Sequence, residues 1–214
     1  EAATISVFKE SRTRKNENLF NQFKNGAKLL RLFKNAYKHP EHLFDIDMLA
    51  KYYALMDLGN VHHAHAWHNR RFYYNPITTK LEHIGYDMIP MGKDLQHILA
   101  IQEFKFERKN IIHEFALNRP ILLNDEFREK YTEYLKLFGS EGYLNTVFKE
   151  YEEEIIQHEE LLSTIVPAFE FDRDIYYRKV ALIQENLKNL DKHWDQYIIE
   201  NTNYEPAPQG KVYE

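Results

Sequence analysis

The stretch Arg71-Phe72-Tyr73-Tyr74-Asn75-Pro76-Ile77-Thr78-Thr79-Lys80-Leu81-Glu82-His83-Ile84 decides the fold. β-Forming residues crowd its first half. Asn75 to Thr79 is turn chemistry, and Lys80 to Ile84 alternates polar with apolar. The pattern predicts a β-hairpin with a loop of about four or five residues. A lone hairpin is marginal in water, so this one must pack on helices. The sequence on either side of this island, which runs from Asn69 to Asp87, has helical period. The expected class is therefore α+β, predominantly α-helical with one β-hairpin.

Upstream, Leu19, Phe20, Phe23, Ala27, Leu30 and Phe33 recur at helical spacing from Glu17. They predict an amphipathic helix that fades at Asn35 and ends before Pro40. Met48, Leu49, Tyr52, Tyr53, Leu55 and Met56 predict a second helix. Asp45 or Asp47 would cap its start, and Gly59-Asn60 suit a left-handed end. Downstream, residues 94–117 show scattered helical periodicity. Asn124-Asp125 would cap a helix over 125–138, which Gly139-Ser140-Glu141-Gly142 breaks. Residues 143–165 read as one long helix with an acidic face. Asp172 and Asp174 precede a last helix to about Ile199. Residues 1–200 form one expected domain, and the tail 201–214, with Pro206, Pro208 and Gly210, is expected to be extended or disordered.

The chain has 214 residues, no Cys and 31 Phe, Tyr and Trp. That is enough bulky material for a real core. The missing cysteines exclude disulfides, thiolate catalysis and Cys-ligated metals. No apolar run reaches the ~18 residues of a membrane span. The net charge of −5 hides an asymmetry, because residues 1–38 carry nine basic groups against three acidic ones. This could be a phosphate-facing patch or a solvated helix face. No long basic stripe is present, so a nucleic-acid partner is not expected.

Residues 57–87 are the densest in chemistry. Four of the eleven His fall within 62–68. A hairpin returns the chain to its start, so Asn69 before the first strand and Asp87 past the second should be neighbours. An amide oxygen and a carboxylate at one point make a hard-oxygen site that suits Mg²⁺ with phosphate oxygens and waters. Protein kinases use this order, with a catalytic Asp, an Asn ligand and a later metal-binding Asp. The kinase motif puts its Asp five residues before the Asn, and Ala64 stands there. His65, four before Asn69, or Asp57 at the preceding helix end, could act as the base. Asp57 is preferred, since a carboxylate keeps its acceptor form at pH 7.

The run HAWHNRRFYYNPITTKLEHIGYD resembles the hallmark region of the spore coat protein H (CotH) kinase family. Trp67-His68-Asn69, Arg71 to Pro76, Thr78, Lys80-Leu81-Glu82, Ile84-Gly85 and Asp87 fit its pattern, and His83 stands where Pro is expected. The preceding FDIDMLAKYYALMDL resembles the family's helix before the loop. The resemblance implies an atypical protein-kinase-like fold that transfers phosphate from ATP to protein Ser/Thr hydroxyls with Mg²⁺ or Mn²⁺. It implies that Asp87 and Asn69 hold the metal and nucleotide, with Asp57 in the catalytic carboxylate's place. His65 and His68 would shape the loop. It also implies a spore, envelope or secreted setting.

No Gly-rich loop and no β-rich stretch precede residue 71, so the chain is expected to be the large helical lobe alone. Its first residue is Glu1 rather than Met, which allows for an upstream segment. Two other classes remain open. One is a pseudokinase-like binding or structural module of the spore coat or cell envelope. The other is a metal-dependent hydrolase using His62, His63, His65 and His68, with His83 or Asp87 completing the site.

Overall fold

A computed structural model of the chain describes residues 5–35, 37–65, 67–88 and 118–201. The helix expected over 94–117 and the tail 202–214 lie outside the described residues. Those described form a mostly helical α+β unit with a two-stranded antiparallel hairpin.

Helix α1 (Glu10–Lys15) leads into α2 (Glu17–Lys34). The start of α2 is capped by Asn16, whose side chain accepts from Leu19 N–H at 3.0 Å. A 3-10 turn (Pro40–His42) precedes α3 (Ile46–Gly59). Of the two cap candidates, Asp45 takes the position and accepts from Met48 N–H at 3.1 Å. Helix α3 ends where Asn60 adopts φ 52°, a left-handed state that asparagine tolerates well. Two further 3-10 turns, His62–His65 and Trp67–Asn69, carry the chain to β1 (Arg71–Asn75) and β2 (Lys80–Ile84).

The hairpin register pairs Arg71 with Ile84 and Asn75 with Lys80. The Asn75 side chain organises the turn by accepting from Ile77 N–H at 2.9 Å. Phe72, Tyr74 and Leu81 pack inward, and Leu81 N–H donates to Leu43 O at 2.8 Å. The hairpin thus lies against α2 and α3. Gly26 permits the close approach, since a Cβ there would sit 3.1 Å from the Cβ of Tyr74.

The second half supplies α4 (Arg119–Leu122), α5 (Asp125–Phe138), α6 (Glu141–Glu150), α7 (Glu152–Ser163), α8 (Asp174–Leu187) and α9 (Leu190–Asn201). Asn124 caps α5, accepting from Phe127 N–H at 2.9 Å, and Ser140 caps α6. The most extensive helix contact is α3 on α5. Tyr53, Met56, Phe127, Tyr131 and Leu135 fill it, and Ile183 and Trp194 close it from α8 and α9. The expected single helix over 143–165 is broken at Tyr151. Three successive carboxylates, Glu152 to Glu154, favour a fresh N-terminus there because the helix dipole stabilises anions. The expected last helix is likewise two, parted at Lys188–Asn189. No helix among the described residues is long and apolar enough to cross a membrane.

Candidate functional site

Where α3 ends, Val61 N–H donates back to Met56 O at 3.2 Å, closing the helix against its own last turn. The chain then enters the two short 3-10 turns. Ala64 faces inward and is buried. Asn69, the last residue of the second turn, is 5% exposed. It adjoins the open end of the hairpin, opposite its turn. On the return strand the chain passes Ile84 and Gly85 and reaches Asp87, whose φ of 53° turns it left-handed. Asp87 and Asn69 meet there, with Asn69 Nδ2 donating to Asp87 Oδ2 at 2.9 Å.

The same amide group donates to the backbone carbonyl of His63 at 3.0 Å. The His63 imidazole completes the arrangement, its Nε2 lying 3.0 Å from Asp87 Oδ2. The ring of His68 meets that of His63 edge-on, with centroids 5.9 Å apart. Arg71 ties the second turn down by donating to His68 O at 2.7 Å and Arg70 O at 3.0 Å, and its guanidinium lies over Tyr86. Both Asp87 and His63 keep part of their side chains in solvent. The site is therefore a half-open cluster of carboxylate, amide and imidazole. Among the described residues no group of three or more His, Asp or Glu is placed to hold a metal ion. The third potential donor beside His63 and Asp87 is an amide.

Asp57 stands in the last turn of α3, ahead of this cluster in the chain. It is fully buried and accepts a hydrogen bond from the Tyr131 hydroxyl of α5. Lys179 of α8, 1% exposed, donates to Asn60 Oδ1 at 3.3 Å. Burial pushes the Lys179 ammonium below the ordinary lysine range, and the Asp57 carboxylate draws it back up. Helices α3, α5 and α8 are thus pinned together at the point where the site loop departs. His65 lies in the first 3-10 turn, four residues before Asn69.

His83 stands apart from the cluster. Its ring stacks on Tyr52 with centroids 4.7 Å apart and packs on Phe72 at 4.3 Å. Among the described residues, neither ring nitrogen has a hydrogen-bond partner. Burial, and secondarily Arg70, holds the imidazole well below the ordinary histidine range, so it is neutral. It serves as an aromatic filler where Pro was expected.

Two contributors escaped the sequence reading, Tyr131 and Lys179 around Asp57, while His63 entered it only as one of the four histidines of the hydrolase alternative, with Asp87 as one possible completing group. Lys179 had a signal, since it occupies a core position in the stripe Tyr176, Lys179, Ile183. Comparison with protein-family models, with curated proteins and with solved structures finds no match.

Proposed function

We propose that this chain performs, or forms the large lobe that performs, phosphoryl transfer from ATP to a protein hydroxyl in the manner of CotH-type kinases. One observation carries the reading: the 2.9 Å meeting of Asn69 and Asp87 at the open end of the hairpin. Both residues were singled out by the same sequence run, and their chemistry fits a divalent cation. A carboxylate and an amide are hard-oxygen donors. They would hold Mg²⁺ or Mn²⁺, which when bound neutralises charge on the transferring phosphate. Amide oxygen and carboxylate would face the ligand once the amide turns over.

The remaining roles belong to the protein's own groups. Before a cation binds, Asn69 holds the His63 carbonyl and so fixes the loop that a substrate hydroxyl must approach; turning the amide over for a cation gives that bond up. Arg71 fixes the other end of that loop through His68 O. His65 is the loop's candidate for orienting the hydroxyl. Asp57, with 0% exposure, is a positioning residue in this reading. It anchors the end of α3 through Tyr131 and the charge of Lys179.

A binding module without turnover is the second reading. It is favoured by Ala64, which is 2% exposed and stands where the kinase motif has its base. One experiment separates the two. Phosphate transfer from labelled ATP to a Ser-rich protein is measured with Mg²⁺ and with Mn²⁺, beside ATP binding, for the chain and its Asp87→Ala variant. Transfer lost in the variant supports the kinase. Asp87-dependent ATP binding without transfer supports the module. ATP binding and transfer that both ignore Asp87, or are both absent, overturn the site.

A further inference from the structure

We infer that His63 is a third ligand of the cation site and that the site prefers a first-row transition cation to Mg²⁺. This rests on reading Asn69 and Asp87 as that site. The argument is one of spacing and donor type. Two groups converge on a single oxygen, Oδ2 of Asp87: His63 Nε2 at 3.0 Å and the Asn69 amide at 2.9 Å. Adjacent donors around an octahedral cation with bonds of about 2.1 Å lie about 3.0 Å apart. A tetrahedral zinc with bonds of about 2.0 Å spaces them about 3.3 Å apart. Both separations from Asp87 Oδ2 match the edge of an octahedral site, and both are also ordinary hydrogen-bond lengths.

Turning the Asn69 amide over puts its oxygen where Nδ2 now stands. The donors are then one carboxylate oxygen, one amide oxygen and one imidazole nitrogen. Mg²⁺ takes oxygen and keeps its waters, whereas imidazole suits the first-row transition cations. His63 is able to serve, because its side chain is 39% exposed and its Nε2 already addresses the carboxylate. His68, whose ring stands beside that of His63, has no described contact with Asp87. Mn²⁺ is the strict probe, being the weakest binder of its series.

The test is Mn²⁺ binding to the full chain, with and without ATP, followed by the loss of free-ion electron paramagnetic resonance signal. Mg²⁺ is the competitor. Pulsed measurement looks for ¹⁴N coupling from an imidazole on the bound ion. The variants are His63→Leu and Asp87→Ala, each checked for fold by circular dichroism. The wild type should bind Mn²⁺ at least about tenfold more tightly than Mg²⁺ and show ¹⁴N coupling. His63→Leu should lose that coupling and at least about tenfold in Mn²⁺ affinity, the smallest loss that even outer-shell partners bring. Its Mg²⁺ affinity should stay the same. Unchanged Mn²⁺ affinity and coupling in His63→Leu, with binding lost in Asp87→Ala, would overturn the role of His63 and leave the site standing. Absence of Mn²⁺ binding in the wild type, or binding indifferent to Asp87→Ala, would remove the site itself.

Discussion

Lys179 reaches from α8 to the side-chain oxygen of Asn60, 3.3 Å away, at the residue where α3 gives way to the site loop. Its charge lies within reach of the fully buried Asp57. Removing one member of a buried charge pair leaves the other uncompensated, at a cost of about 3–5 kcal/mol. Lys179→Met should therefore destabilise strongly. Asp57→Asn should cost clearly less in the Lys179→Met background than in the wild type, because the stranded charge is already gone. Urea denaturation of the four proteins gives the coupling. Additive losses would mean that the two charges do not act on each other.

His83 makes stability depend on acidity. Its imidazole is held neutral by burial, with a folded-state value well below the ordinary one. The unfolded chain therefore binds the proton more readily. The contribution is fully present above about pH 6.5 and is lost as pH falls below it, by up to about 1.4 kcal/mol per unit. His83→Phe keeps a ring packed between Tyr52 and Phe72 and removes the proton site. Unfolding free energies at pH 7.5 and 5.5 should differ less in this variant than in the wild type, by about 1 kcal/mol. An equal difference in both would place the acid sensitivity elsewhere.

How far the fold was legible follows from where its information lies. The hairpin was readable because Phe72, Tyr73 and Tyr74 form strands locally and Asn75-Pro76 turns locally. The approach of Asn69 to Asp87 followed from that hairpin alone, since antiparallel strands return to their start. The Asp45 and Asn124 caps were readable for the same local reason. The partners of Asp57 and Asn60 were not, as Tyr131 and Lys179 lie 74 and 119 residues downstream. Nor was the turn of His63 toward Asp87. Two 3-10 turns set it, and four neighbouring histidines gave no ground for choosing one. The breaks at Tyr151 and Lys188 carry no Gly or Pro, so periodicity ran straight through them.

Gly139 ends α5 without a left-handed φ, so its smallness serves space rather than backbone freedom. A Cβ there would stand 2.5 Å from both the Ile183 side chain and the Leu135 carbonyl. The carbonyl belongs to the helix and cannot move away cheaply. Gly139→Ala should lose about 1–3 kcal/mol, the range for overpacking a core. The loss should be smaller in an Ile183→Ala background, which removes the Cγ2 methyl that the new Cβ meets. Thermal melts of the single and double variants decide, and a neutral Gly139→Ala would show that α8 yields more readily than its packing indicates.

The Asn69–Asp87 contact sets a final test that needs no enzymatic assay. The amide now donates to the carboxylate, a favourable match of donor and acceptor. Asn69→Asp replaces it with a second carboxylate about 3 Å from the first, where like charges oppose each other. Without divalent cations this variant should melt below the wild type. With Mn²⁺ or Mg²⁺ the order of gains should invert. The cation binds only the folded form and has one more anionic ligand, so it should raise the melting temperature of Asn69→Asp by more than that of the wild type. Equal shifts in both proteins would show that the cation binds elsewhere. A variant with no loss in cation-free buffer would show that Asp87 does not face Asn69 in solution.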